Sequence, residues 1–196
     1  WGGGRDAKIL VIPTASELAD TGPRDVELFE SMGARSRSMP INEREDCFDE
    51  DLVSTLNRAN GVFITGGNQL RLSTILGGTP VAKAIRDRHN EGVHVAGTSA
   101  GAAIVPEHMI AGGPTGPTPT ENGVTMAPGL GLTNKAIVDQ HFRQRDRLGR
   151  LLTALSYNPF VTGLGIDEDT AAFIDPHGEF EVVGSGAVTV IDPSGL

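Results

Sequence analysis

Val93-His94-Val95-Ala96-Gly97-Thr98-Ser99-Ala100-Gly101-Ala102-Ala103-Ile104-Val105 reads as a short apolar strand, a G-x-S-x-G turn and the small residues that open a helix. A strand-to-helix turn of this kind holds a serine hydroxyl at the tip of a strand. It also places the next backbone N–H, on Ala100, at a helix N-terminus, where it can stabilise an oxyanion. With 26 glycines in 196 residues, the pentad alone says little. The strand pattern before it and the helix pattern after it make Ser99 a candidate nucleophile.

Working back from this turn, the chain alternates short buried runs with helical periodicity. Ala7 to Thr14 reads as a strand, and Pro23 to Met32 as a helix stopped by Gly33. Arg35 to Ile41 follows as a strand, Asp49 to Ala59 as a helix, and Val62 to Thr65 as a strand ending in Gly66-Gly67. Gln69 to Leu76 and Pro80 to Asn90 read as helices, and Val93 to Ala96 as the strand that enters the Ser99 turn. Such alternation predicts an α/β fold, a mostly parallel sheet with helices on both faces in a three-layer sandwich. Ligand sites in these sheets lie beyond the carboxyl ends of the strands. Those ends carry Pro13-Thr14-Ala15-Ser16, Gly66-Gly67-Asn68-Gln69 and Gly97-Thr98-Ser99, which are expected to converge on one crevice.

Forward of the turn, residues 106–134 are rich in Gly, Pro and Thr and read as one long ordered loop over the site. Ala136 to His141 is expected as a strand and Arg143 to Tyr157 as a helix. The C-terminal part turns to β, with Thr162 to Ile166, Ala171 to Ile174, Phe180 to Val183 and Ala187 to Ile191 as strands, and Asp175-Pro176-His177-Gly178 as a hairpin turn.

Composition narrows the classes. A formal net charge of −9 argues against a general nucleic-acid binder. The absence of any long apolar run or visible signal peptide leads to the expectation of a cytoplasmic protein without a membrane partner. The single cysteine, Cys47, rules out an intrachain disulfide and a Cys-based zinc cluster. Neighbouring acids would raise its thiol pKa, so it makes a poor nucleophile.

A serine nucleophile needs a base, usually histidine. Of five, His89 lies on a polar helix face, His94 mid-strand and packed, His108 in the loop and His177 in a turn. His141 alone stands just past the end of a buried strand, as Ser99 does. Glu168 leads as the acid that orients the imidazole, since it follows another strand end. Asp139, two residues before His141, competes for that role or for contact with substrate. Asp139, His141, Asp167, Glu168 and Asp169 also suit a hard divalent ion, but neither H-E-x-x-H nor a second well-placed histidine accompanies them. No metal or cofactor is therefore expected. The oxyanion hole would pair the Ala100 N–H with one from Gly66-Gly67. On a helix from Arg143, residues 143, 147 and 150 fall within about 60° of arc and form a stripe able to hold carboxylates. Surface salt bridging, for instance to Asp146, is the plainer use of that stripe.

Four blocks, taken in order, resemble the cyanophycinases, serine peptidases of the peptidase E superfamily. They are Phe63-Ile64-Thr65-Gly66-Gly67-Asn68-Gln69-Leu70-Arg71-Leu72, Gly97-Thr98-Ser99-Ala100-Gly101-Ala102, Asp139-Gln140-His141-Phe142-Arg143-Gln144-Arg145-Asp146-Arg147-Leu148-Gly149-Arg150-Leu151, and Gly165-Ile166-Asp167-Glu168-Asp169-Thr170-Ala171. The resemblance implies a class I glutamine-amidotransferase-like (flavodoxin-like) sandwich, usually a homodimer. It also implies hydrolysis of cyanophycin, a polyaspartate with arginine on each side-chain carboxyl, to β-Asp-Arg dipeptides. Carried over residue by residue, Ser99 is the nucleophile, His141 the base and Glu168 the orienting acid, with Gly67 and Ala100 at the oxyanion hole. Gln69, Asp139, Gln140, Arg145, Arg147 and Arg150 match the substrate pocket. There, acids would hold the substrate guanidinium and arginines its carboxylate. The family begins with an extra strand and a glycine-rich loop before the segment matching Lys8 to Thr14. Residues 1–196 are therefore expected to be one peptidase domain short of its first strand. An aspartyl or isoaspartyl dipeptidase and a catalytically silent binding protein are the competing expectations.

Overall fold

The computed structural model describes residues 3–195, and the chain divides into two compact units, Trp1–Val105 and Pro106–Leu196. The first unit alternates strand and helix: β1 (Lys8–Ile12), α1 (Thr21–Ser31), β2 (Arg35–Ser38), α2 (Glu50–Leu56), β3 (Gly61–Ile64), α3 (Gln69–Leu76), α4 (Pro80–Asn90), β4 (His94–Gly97) and the short α5 (Ala100–Ala103). Its four strands form one parallel sheet in the order β2-β1-β3-β4. This is the expected α/β class with a parallel sheet.

Local chemistry explains the helix starts. The Asn68 side chain accepts from the Leu70 and Arg71 N–H groups at the head of α3. Thr79 accepts from Ala82 N at the head of α4, with Pro80 in the first helical position. Inside α1, Phe29 meets Phe63 of β3 edge to face at 5.1 Å, beside Ile9 and Val11 of β1. Leu28 and Met32 of the same helix are exposed.

The strand order reverses between β1 and β3, and the loops at their carboxyl ends meet there. Asn68 N donates to Ala15 O at 2.8 Å. Gly67 has φ 143°, and a Cβ on it would lie 2.1 Å from Ala15 O, so only glycine fits. On the other side, a Cβ on Gly66 would lie 3.3 Å from the Ser99 Cβ. The expected convergence of the three loop ends thus holds within this unit. Arg71 locks it, with Nε donating to Thr14 O and Nη2 to Asn42 O, each at 2.8 Å.

The second unit holds β5 (His108–Gly112), β6 (Thr125–Pro128), β7 (Ala136–Gln140), α6 (Leu148–Tyr157), β8 (Thr162–Ile166), β9 (Thr170–Ile174), β10 (Phe180–Gly184) and β11 (Val188–Ile191). β7 and β8 are parallel, β11 adds antiparallel to β8, and β9 pairs with β10 across the expected turn at residues 175–178. Its core gathers Ile110, Ile137, Phe142, Leu151, Leu155 and Val161.

Three expectations are corrected. Residues 106–134 are not one loop, because β5 and β6 form an antiparallel hairpin there, with an irregularity between Ile110 and Gly112. Met109 and Ile110 are buried, and that burial outweighs the turn-rich composition around them. The helix expected from Arg143 begins only at Leu148. Residues 142–146 form turns, Arg147 caps α6, and Asp146 has φ 47°, outside helical backbone. The arginine stripe therefore does not exist as one helical face. His94, expected to be packed, opens β4 and is exposed.

Candidate active site

In the first unit the pentad forms the turn that its spacing implies. Ser99 lies between β4 and α5 with φ 51° and ψ −112°. A non-glycine residue is rarely found at positive φ, and this ψ is far from the left-handed helical well, so the backbone is strained. Close packing imposes the strain. A Cβ on Gly97 would lie 2.2 Å from Gly101 O, and one on Gly101 would lie 2.0 Å from Ile64 O. The helix thus starts hard against the end of β3, and its hydrogen bonding begins with Gly101 N to Thr98 O at 2.8 Å. Ala100 is buried at the helix start, and Gln69 opens α3 beside the Gly66-Gly67 turn.

In the second unit His141 follows β7 directly, at φ 49°. Its Nδ1 is 2.7 Å from Glu168 Oε1. An ionised carboxylate only accepts, so with a neutral imidazole this contact calls for the proton on Nδ1, which would leave Nε2 as the acceptor. Glu168 comes from the turn after β8, and Asp169 in that turn has φ 49°.

The Asp139 carboxylate, the other acid expected for the imidazole, is engaged by arginines. Its side chain is 1% exposed. Arg150 Nε donates to Oδ2 at 2.6 Å and Arg150 Nη2 donates to Oδ1. Arg147 Nη1 reaches Oδ1 at 3.4 Å and donates to Gln140 O at 2.5 Å. Burial, and then the Arg150 charge, pull the Arg147 guanidinium down to about 10, with Asp139 pulling the other way. Arg147 Nε is buried without a hydrogen-bond partner. Asp139, Gln140, Arg147 and Arg150 are all buried, whereas Arg145 is exposed.

The third arginine of the expected stripe, Arg143, pairs instead with Asp167, which sequence reasoning left in the metal alternative. Arg143 N donates to Oδ1 at 3.1 Å, its Nε donates to Oδ2 at 2.5 Å, and Ala187 N donates to Oδ2 at 3.0 Å. Burial works against ionisation of Asp167, but these bonds and the Arg143 charge together hold its carboxyl below the usual aspartate range. A folded-state pKa below the unfolded one means stability that is complete above the unfolded value and lost as pH falls through the folded one. Asp167→Asn should therefore flatten the loss of stability as pH falls below the ordinary aspartate range, followed by circular dichroism in an acid titration against wild type.

Among the described residues no group of three or more His, Cys, Asp or Glu side chains is gathered as a metal site. No described helix is long and apolar enough to cross a membrane. Cys47 is buried, and burial first of all pushes its thiol up. A hydrogen bond from Thr79 opposes this, and Asp46 adds to it, so the neighbouring acids are the lesser cause.

The sequence profile of peptidase family S51 matches residues 2–181. The chain is 48% identical over 99% of its length to a cyanophycinase of Nostoc sp., and equally to one of Trichormus variabilis. It spans 66% of the length of each of those two proteins. A cyanophycinase of Geminocystis herdmanii is 45% identical over 97% of the chain and 71% of that protein. Among solved structures, a peptidase from an acI-B1 Actinobacterium superposes with a TM-score of 0.68 at 23% identity, covering 95% of this chain and 78% of the other. A putative peptidase E protein from Listeria monocytogenes superposes with a TM-score of 0.65 at 19% identity, covering 92% and 87%. These two superpositions speak to the fold.

Proposed function

We propose, for a chain that belongs to peptidase family S51, that it carries the catalytic machinery of a serine exopeptidase that hydrolyses cyanophycin to β-Asp-Arg dipeptides. The observation that carries this reading is the strained backbone of Ser99 at φ 51° between a strand and a helix. A nucleophile elbow requires that conformation, and a structural serine has no use for it. The identity to cyanophycinases supplies the substrate class. In this reading the two units belong to one peptidase domain with the class I glutamine-amidotransferase-like sandwich, working as a homodimer in the cytoplasm.

The chemistry assigned is acyl transfer. Ser99 Oγ attacks the carbonyl carbon of an aspartyl main-chain amide, and its proton passes to His141 Nε2. Glu168, on Nδ1, holds the imidazole in the tautomer that can accept there and stabilises the imidazolium that forms. The tetrahedral oxyanion is held by the N–H groups of Ala100 and Gly67. His141 then gives its proton to the amine nitrogen as the C–N bond breaks. A water molecule repeats the sequence on the acyl-serine and restores Ser99. Gln69, Gln140, Arg145, Arg147 and Arg150 are assigned to the substrate's charged ends. Asp139 is assigned to fixing Arg147 and Arg150, because its carboxylate is already engaged by both.

Incubating the protein with insoluble cyanophycin, with Ser99→Ala alongside, tests the reading by mass spectrometry. β-Asp-Arg from the unmodified protein alone is the expected result. No dipeptide from folded protein, or equal amounts from both, would sink it.

A further inference from the structure

The His141–Glu168 contact is made by a carboxylate whose side chain is 53% exposed, against 23% for the imidazole. A lone exposed pair of this kind contributes little by itself, and a free glutamate side chain has several rotamers to choose from. Something else must hold the two loops in register. Three links within the second unit do so. Phe142 N donates to Ile166 O at 3.1 Å, which carries the β7–β8 pairing one residue past His141. Asp167 receives both the backbone N–H and the guanidinium of Arg143, as described above. On its other side Asp167 is pinned by Ala187 N, and a Cβ on the neighbouring Gly186 would lie 2.8 Å from the Asp167 Cβ. Gln144 Oε1 accepts from the Glu168 backbone N–H at 3.1 Å. His141, Arg143 and Gln144 on one loop thus face Glu168 and Asp167 on the other.

We propose that Asp167 and Gln144 are positioning residues for the His141–Glu168 pair: Asp167 clamps the two loops through Arg143, and Gln144 fixes the backbone of Glu168 itself. This rests on the reading of His141 as the general base. Neither residue touches substrate in it; both act through the orientation of the imidazole. Displacement of a catalytic group by about 1 Å can cost on the order of 10²-fold in rate. Asp167→Asn and Gln144→Ala should therefore each lower kcat by about 10- to 100-fold and leave KM within about twofold. Arg143→Lys, which keeps the charge but loses the fork, should retain more kcat than Arg143→Met.

The decisive measurement is the tautomer of neutral His141, read by NMR from couplings between the carbon-bound ring protons and the ring nitrogens of 15N-labelled protein. The Nδ1–H form is expected in the wild type, with a shift toward Nε2–H in Asp167→Asn and in Gln144→Ala. An unchanged tautomer in both variants, or a wild-type imidazole that is not Nδ1–H, overturns the proposal. So does a variant that loses stability and activity together while its imidazole stays as in the wild type. Gln144 is exposed, so its variant carries the test even if Asp167→Asn does not fold. A shifted tautomer without any cyanophycin hydrolysis by the wild type would leave the positioning role standing and sink the proposed activity instead.

Discussion

Ser99→Ala is expected to remain folded and to lose about 10⁴-fold or more in hydrolysis of cyanophycin, the scale on which loss of a serine nucleophile acts. Ser99→Gly should lose as much activity and yet be the more stable of the two variants. The reason lies in the backbone. Ser99 is held at φ 51° and ψ −112° by the close approach of Gly101 to Ile64 and of Gly97 to Gly101. Alanine has the same Cβ and inherits the strain. Glycine has none and releases it, by about 1 kcal/mol at the low end of what such conformations store. Glycine also gives some of that back through a freer unfolded chain. Urea unfolding of wild type and both variants checks this, with a higher midpoint at unchanged slope for Ser99→Gly. A glycine variant clearly less stable than the alanine variant would mean that the elbow stores no strain. A catalytically competent Ser99→Ala would remove Ser99 from the chemistry altogether.

Asp139→Asn is expected to destabilise the protein by about 3–5 kcal/mol, the cost of leaving buried charge without its partner. Arg150 and Arg147 are both buried around this carboxylate, and the Arg147 guanidinium is already pulled down to about 10 by burial and by Arg150. The neutral amide keeps the shape and one acceptor oxygen but removes the carboxylate charge that opposes those two. Arg143→Met should cost less than Asp139→Asn, because the Arg143 guanidinium is largely in water and the buried Asp167 carboxylate keeps the backbone N–H groups of Arg143 and Ala187. Thermal and urea midpoints of the two variants separate these cases. If Asp139 instead held a substrate guanidinium directly, as its motif position first implied, Asp139→Asn would raise KM and leave the midpoint in place.

Periodicity placed α3 and α4 at their observed ends, and β1, β3 and β4 within a residue or two, because each is a short apolar run or helical stripe bounded by glycine, proline or a capping residue. The β5–β6 hairpin was not legible. Its buried core is two adjacent residues, Met109 and Ile110, and they are outweighed by turn-forming neighbours. The start of α6 was missed for a related reason. Helical spacing continues back through Arg147 to Arg143, and only the positive φ of Asp146 breaks it.

The sequence by itself determined the α/β class, the Ser99 turn and the membership of His141 and Glu168 in strand-end loops. These are local matters, set by side-chain period and by which residues tolerate tight turns. Only the tertiary structure decided what the charges do. Spacing suggested one stripe of three arginines and two rival acids for one histidine. Folding instead gave Arg147 and Arg150 to Asp139, Arg143 to Asp167, and the imidazole to Glu168. Partner choice among these charges depends on which carboxylate each cation meets in the fold, whether buried, as for Arg147 and Arg150, or at the surface, as for Arg143 and Glu168. That is settled by contacts 8 to 27 residues apart in the chain, beyond the reach of any local pattern.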